Sequence, residues 1–279
     1  MSIANGIDFK QLNERLLERK SIRTYGDKYP TSEQVKEIET FIKTLNEIET
    51  PFKGQVRLCL QTEDFSFIKT FGFITGSKYW IYGVIPLNNV SALKQFGYLF
   101  QLLVLKCTSL GLSTVWLGGT FTVSAFNVLQ YDKNKEFIPC VSPVGFNGNG
   151  NEFLARTIGS RSRKLWNELF YWNSFNTPLT KELLQSPFNE NIFESIRWAP
   201  SARNLQEWRI VLTDQNQLHF FTVDSSWKEI DLGICVAQAT VVLEANDIKG
   251  EWIVLDSHEL INSLHATDLQ YVISFIAQK

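Results

Sequence analysis

The sequence predicts an α+β protein assembled from two similar halves, with central sheets flanked by helices. Periodic segments recur in one order (helix, two strands, helix, strand), first after Thr31 and again in the last third. A polar stretch with two prolines, Ser174–Pro187, lies between them and reads as the join. A hydrophobic fraction of 44%, with 21 Phe and 8 Trp in 279 residues, is enough to fill a sizeable core. The expected division is therefore residues 1–175 and residues 176–279.

Taken in order, Asp8 caps a helix with Phe9, Leu12 and Leu16 on one face, ending near Arg19. Thr31-Ser32-Glu33-Gln34 has the capping-box pattern, and Val35, Ile38, Ile42 and Leu45 follow at helical spacing. Val56–Gln61 and Tyr79–Ile85 read as strands. Ser91–Leu110 reads as a long buried helix closed by Gly111. Short strands are expected at Ser113–Trp116 and Pro139–Val144. The second half gives a helix over about Asn189–Trp198, then strands Trp208–Thr213 and Leu218–Val223 with a turn at Asp214–Gln217. A helix carries Ile230, Ile234, Ala237 and Val241 on one face, and strands Trp252–Leu255 and Tyr271–Ile276 close the chain.

Composition narrows the function. A net charge of −2 without a long Lys or Arg run gives no support for nucleic-acid or anionic-membrane binding. The first residues lack the basic and apolar regions of a signal peptide. The most apolar stretch, Phe96–Leu105, is about half a membrane span, and Gln95, Gln101 and Lys106 fit a buried soluble helix. Cys59, Cys107, Cys140 and Cys235 match no zinc or CxxC spacing and read as buried reduced thiols of a cytoplasmic protein. His219, His258 and His265 form no ligand pattern, so no metal is expected. The G-x-x-G-x-G of Gly145–Gly150 lacks the strand and helix that a dinucleotide fingerprint needs.

Four stretches carry candidate chemistry, each with a plainer alternative. Ala199-Pro200-Ser201-Ala202-Arg203-Asn204 is a polar turn between helix and strand. Such turns either contact small molecules or simply cap a connection. Arg19, Lys20, Ser21 and Arg23 cluster at a helix end, as a ligand-binding set or as cations favoured by the macrodipole. Arg161 and Arg163 alternate with serines, as a phosphate grip or an exposed basic turn. Leu117-Gly118-Gly119 lets backbone approach a flat ligand closely, or is an ordinary turn.

Taken together these stretches resemble the FMN-dependent nitroreductase family. Ala199–Trp208, APSARNLQEW, is similar to its APSxxNxQPW signature, and Arg19-Lys20-Ser21-Ile22-Arg23 to its Arg-x-Ser-x-Arg/Lys flavin motif. Leu110–Gly119, Pro143–Phe146 and Ser160–Phe170 also fit, and the similarity spans roughly residues 15–255. The APSxxN-like segment comes late rather than soon after the Arg-Ser motif. That order resembles the subfamily in which one chain mimics the usual dimer.

The resemblance implies a nitroreductase-like fold and an FMN site. Arg19 would bind the phosphate or ribityl side, and Arg23 would lie near N1 and O2 of the ring, where a cation favours reduction. Leu117, Gly118 and Gly119 would offer backbone N–H groups to N5 and O4. Arg161 and Arg163 would grip the phosphate, although Lys164-Leu165 lacks the family's proline. Pro200, Ser201, Ala202 and Asn204 would cover the flavin from the second half. One Arg-Ser motif and one APSxxN motif make one site per chain, so a monomer is expected to suffice. The implied reaction is hydride transfer from NAD(P)H through flavin N5 to a small electron-poor acceptor such as a nitroaromatic or quinone. It requires no side chain as acid or base, so none is named catalytic. Glu207 stands where the family has proline and brings negative charge toward the ring. The alternative is a non-catalytic flavin-binding carrier, sensor or interaction protein.

Overall fold

The computed structural model describes residues 6–62, 70–125, 132–148 and 162–278. Seven α-helices, among the described residues, surround and connect two sheets. The first half opens with α1 (Phe9–Glu14), capped by the Asp8 carboxylate accepting from Gln11 N–H. A 3₁₀ turn at Leu16–Glu18 replaces the expected last turn of this helix, still burying Leu16. In α2 (Ser32–Glu47) both arms of the Thr31–Gln34 capping box form. α3 (Val90–Ser109) ends where Gly111 takes φ +74°, with Leu112 N–H donating to Cys107 O and Gly111 N–H to Thr108 O. Its strands are β1 (Arg57–Thr62), β2 (Tyr79–Pro86), β3 (Ser113–Thr114), β4 (Glu136–Phe137) and β5 (Val141–Gly145). They form an antiparallel sheet in the order β1-β2-β5-β3, with β4 also on β2.

The strands of the second sheet are β6 (Phe170–Trp172), β7 (Ser174–Pro178), β8 (Trp208–Leu212), β9 (Gln217–Thr222), β10 (Gly250–Ile253) and β11 (Gln270–Ala277). They lie in the order β10-β11-β9-β8-β6-β7. Only the β6–β8 pair is parallel. The stretch read as a join thus carries β7 and a 3₁₀ turn at Lys181–Leu183. The remaining helices are α4 (Trp166–Leu169), α5 (Glu190–Arg197), α6 (Lys228–Ala245) and α7 (Ser257–Leu264). The order helix, two strands, helix, strand is present twice, as α2-β1-β2-α3-β3 and α5-β8-β9-α6-β10.

The helices α3 and α6 cross at the centre and join the halves. Gly97 and Gly233 face each other's backbone there: a Cβ on Gly97 would strike Ile230 O, and one on Gly233 would strike Lys94 O. Two opposed glycines let the helices touch, which is why these apolar helices are buried nearly all round. Deep in the crossing, Gln101 Nε2 donates to Gln238 Oε1 at 3.0 Å, and Gln238 Nε2 donates to Ser195 O of α5. One apolar core runs from Phe9 and Ile38 through this crossing to Phe220 and Ile273. No described helix is long and apolar enough to cross a membrane. All four cysteines are free thiols, and Cys59 is only half-buried because β1 is an edge strand.

Candidate functional site

After the 3₁₀ turn the chain becomes an extended arm instead of a helix end. Ser21 bridges Thr114 of β3 in parallel, with Ile22 N–H donating to Thr114 O at 3.0 Å; Thr24 bridges Thr75, and Tyr25 bridges Asn147. This pairing carries Arg19, Ser21 and Arg23 into the wall of a cavity of about 450 Å³. The volume falls in the roughly 300–1,000 Å³ range of small-molecule sites. Leu117, Gly118 and Gly119 form a second part of the wall, and Arg163 a third. Pro200, Ser201, Ala202 and Asn204 face them from the other half. Lys20 points away and is exposed. Arg161 lies outside the described residues.

Buried wall donors without a hydrogen-bond partner among the described residues include Arg19 Nη1 and Trp116 Nε1. Burial, and then the charge of Arg163, pulls the Arg19 pKa down to about 10. It remains a cation at neutral pH, and a buried unpaired cation is costly. An anion in the cavity would satisfy both its charge and its N–H. Arg23 is also lowered by burial. Gly118 packs closely on another wall residue: a Cβ there would come within 2.8 Å of the Trp227 ring.

Arg163 is built in differently. Its Nη1 donates to Asn204 Oδ1 at 2.9 Å and to Ser162 O at 2.7 Å; Nη2 donates to Trp198 O at 3.3 Å. The guanidinium lies 4.6 Å from the Trp198 ring centroid. Burial, and then Arg197, lowers its pKa to about 10. Asn204 Nδ2 donates in turn to Ser162 O and Oγ. Gln206, 2% exposed, accepts from Lys164 N–H at 2.8 Å and donates to Asn204 O. The asparagine and glutamine of the APSARNLQEW stretch therefore pin the 162–164 segment to the turn.

That turn is strained. Arg203, Asn204 and Gln206 have φ of 49°, 58° and 49°, and each left-handed non-glycine costs about 1–2 kcal/mol. Besides the bonds of Arg163, Asn204 and Gln206, Gln206 N–H donates to Ser201 Oγ at 2.9 Å, and Ala202 N–H donates to the Asp231 carboxyl at 2.9 and 3.0 Å. Asp231 also lines the cavity, though nothing in its local sequence marked it. Helical spacing on α6 places Trp227, Ile230, Asp231 and Ile234 on one face toward the cavity. Burial above all raises the Asp231 pKa to about 7, with a smaller push from Glu207. Glu207 itself is not part of the wall; its charge acts on Lys164 and Arg209 as well.

An α+β fold with a small-molecule cavity between two sheet-and-helix halves, lined by cations and a glycine edge, defines a ligand-binding protein of mixed architecture. A family model described as "Putative TM nitroreductase" matches residues 11–274, and the chain belongs to that family. Its fold is similar to a "putative nitroreductase" of Thermotoga maritima, with TM-score 0.63 and 17% identity over 95% of this chain and 93% of that one. A Desulfovibrio desulfuricans "putative nitroreductase in complex with FMN" matches at TM-score 0.42 and 22% identity, over 63% of this chain and 97% of that one. A Clostridium difficile nitroreductase family protein matches at TM-score 0.39 and 17% identity, over 52% and 87%. No curated protein matches the chain.

Proposed function

We propose that the protein is an FMN-dependent oxidoreductase that takes hydride from NAD(P)H and passes it to a small electron-poor acceptor, a nitroaromatic or a quinone. The observation that carries this reading is the buried Arg19 Nη1, without a partner among the described residues, in a cavity that the Pro200–Asn204 turn also lines. Family membership supports an oxidoreductase, and the donor set fits a flat anionic ligand.

FMN held by these residues would supply two-electron redox chemistry. The chain supplies the setting. Arg19 offers charge and an N–H to the anionic part of the ligand, and Arg23 adds a second cation in the same wall. Trp116 Nε1 offers a further donor. The glycine edge permits close backbone approach. Trp227 and the Ile230 and Ile234 side chains keep that side apolar. One chain holds both contributing halves, so we further propose that residues 1–175 and 176–279 act as an internal dimer and that a monomer suffices.

The test is anaerobic NADH and NADPH oxidation by FMN-loaded protein, with and without a quinone. Oxidation that continues only while acceptor remains supports the enzyme. A flavin that binds but is never reduced by either nucleotide makes the protein a carrier or sensor instead.

A further inference from the structure

Among the described residues the cavity wall holds one acidic group, Asp231, and no ion pair neutralises it. Asp231 is 4% exposed, and both its oxygens lie within hydrogen-bond distance of a single N–H, that of Ala202. One such donor leaves most of a carboxyl's acceptor capacity, or its own O–H, available to the cavity side. Its surroundings are settled from every side. On α6, Glu229 is paired with Lys94 of α3 at 3.4 Å, and Cys235 lies one turn on. Cys140, ahead of β5, and Glu207, ahead of β8, complete the near shell. Arg19, Arg23, Arg163 and Arg203 line other parts of the cavity, and none forms an ion pair with Asp231 among the described residues.

We propose that Asp231 is the proton-exchanging group of this cavity, giving a bound quinone the proton it needs besides the hydride. The proposal rests on the oxidoreductase reading. A quinone becomes a hydroquinone by gaining two electrons and two protons. One hydride equivalent from the bound flavin accounts for both electrons and one proton. The second proton comes from the carboxyl: the O–H bond of Asp231 breaks, an O–H bond forms on the quinone oxygen, and water at the cavity mouth reprotonates the carboxylate. Burial supports the assignment, since it holds the acid protonated near neutral pH, where a general acid works best.

The test uses the full chain in two states. In the unloaded wild type, infrared difference spectra against pH follow the C=O stretch of protonated carboxyls. One band is expected to disappear with a midpoint near pH ~7 and to be missing in Asp231→Asn. In the FMN-loaded protein, kcat for quinone reduction is expected to fall above the same midpoint. Asp231→Asn is expected to lower kcat about 100-fold, change KM little and flatten the pH profile. Wild-type infrared and kcat midpoints that differ overturn the proposal, even if the variant does not fold. A loaded Asp231→Asn enzyme with the wild-type pH profile overturns the role of Asp231 while leaving the flavin reading standing. Failure of the wild type to take up FMN overturns both.

Discussion

Arg19 and Arg163 line one cavity, carry one charge and have pKa values drawn down to about 10 by burial, yet they are held in opposite ways. Arg163 donates to Asn204, Ser162 and Trp198 and lies over an indole ring. Arg19 has no such set of bonds among the described residues, and its Nη1 is buried without a partner there. The bonds of the first cation tie it to the frame of the strained turn; we propose that the second is held for a ligand. Charge alone does not separate the two; the bonds each already makes do.

The comparison can be broken most severely at Arg19. Arg19→Met is expected to weaken FMN binding by about 1.5–3 kcal/mol, roughly 10- to 150-fold in Kd. It should not lower the melting temperature of the unloaded protein, since it removes a buried unpaired charge. Flavin titration followed by fluorescence, beside thermal melts, reads both quantities. An unchanged Kd with a lower melting temperature would make Arg19 a frame residue like its neighbour.

Arg163→Met is expected to show the reverse balance. Losing its bonds to Asn204 and Trp198 should cost about 1–3 kcal/mol of stability, at roughly 2–4 °C per kcal/mol for a chain of this size class. Its Kd for FMN should rise less than that of Arg19→Met. A variant that melts with the wild type but no longer binds flavin would restore Arg163 to the ligand.

The third prediction concerns pH. The folded Asp231 pKa is raised, to about 7, so the folded protein holds a proton that the unfolded chain gives up more easily. Its contribution to stability is complete below the ordinary carboxylate range and is lost as pH rises through about 7. Asp231→Asn keeps an acceptor for Ala202 N–H and is expected to be more stable than wild type above neutral pH, with the gap closing in acid. Urea midpoints of unloaded protein at several pH values measure it; a gap that does not change with pH would show that Asp231 is ionised throughout. The smallest effect is expected for Lys20→Ala, an exposed cation outside the wall. Stability should change by less than about 0.5 kcal/mol, and flavin Kd by less than about twofold.

The elements legible in the sequence were those with local causes. The Thr31–Gln34 capping box, the Asp8 cap and the Gly111 stop each depend on residues within one turn. α7 went unread although Asp256 caps it, accepting from His258 and Glu259 N–H. β6 and β7 are hidden because β6 is three residues long and starts at Phe170, where the motif-like stretch ends, and Ser174–Pro187 looks like a linker. The pairing of β6 with β8 is a long-range fact, and β7 follows on the outer side of β6. The site divides the same way. The arm, the glycine edge and the Pro200 turn were visible as motifs. The Arg163–Asn204 bond joins positions 41 apart, and Asp231 looked like an ordinary acidic residue in the first turn of a helix. What brings that aspartate into the cavity is the fold of the strained turn onto α6.

The claim that Arg19 awaits a flavin is tested most directly by the flavin content of the purified full chain after incubation with excess FMN and removal of the unbound fraction. The account predicts one FMN per chain, with the oxidised-flavin absorbance of a non-covalent complex, and a monomer that retains it on dilution. No bound flavin, or two per chain, would contradict it.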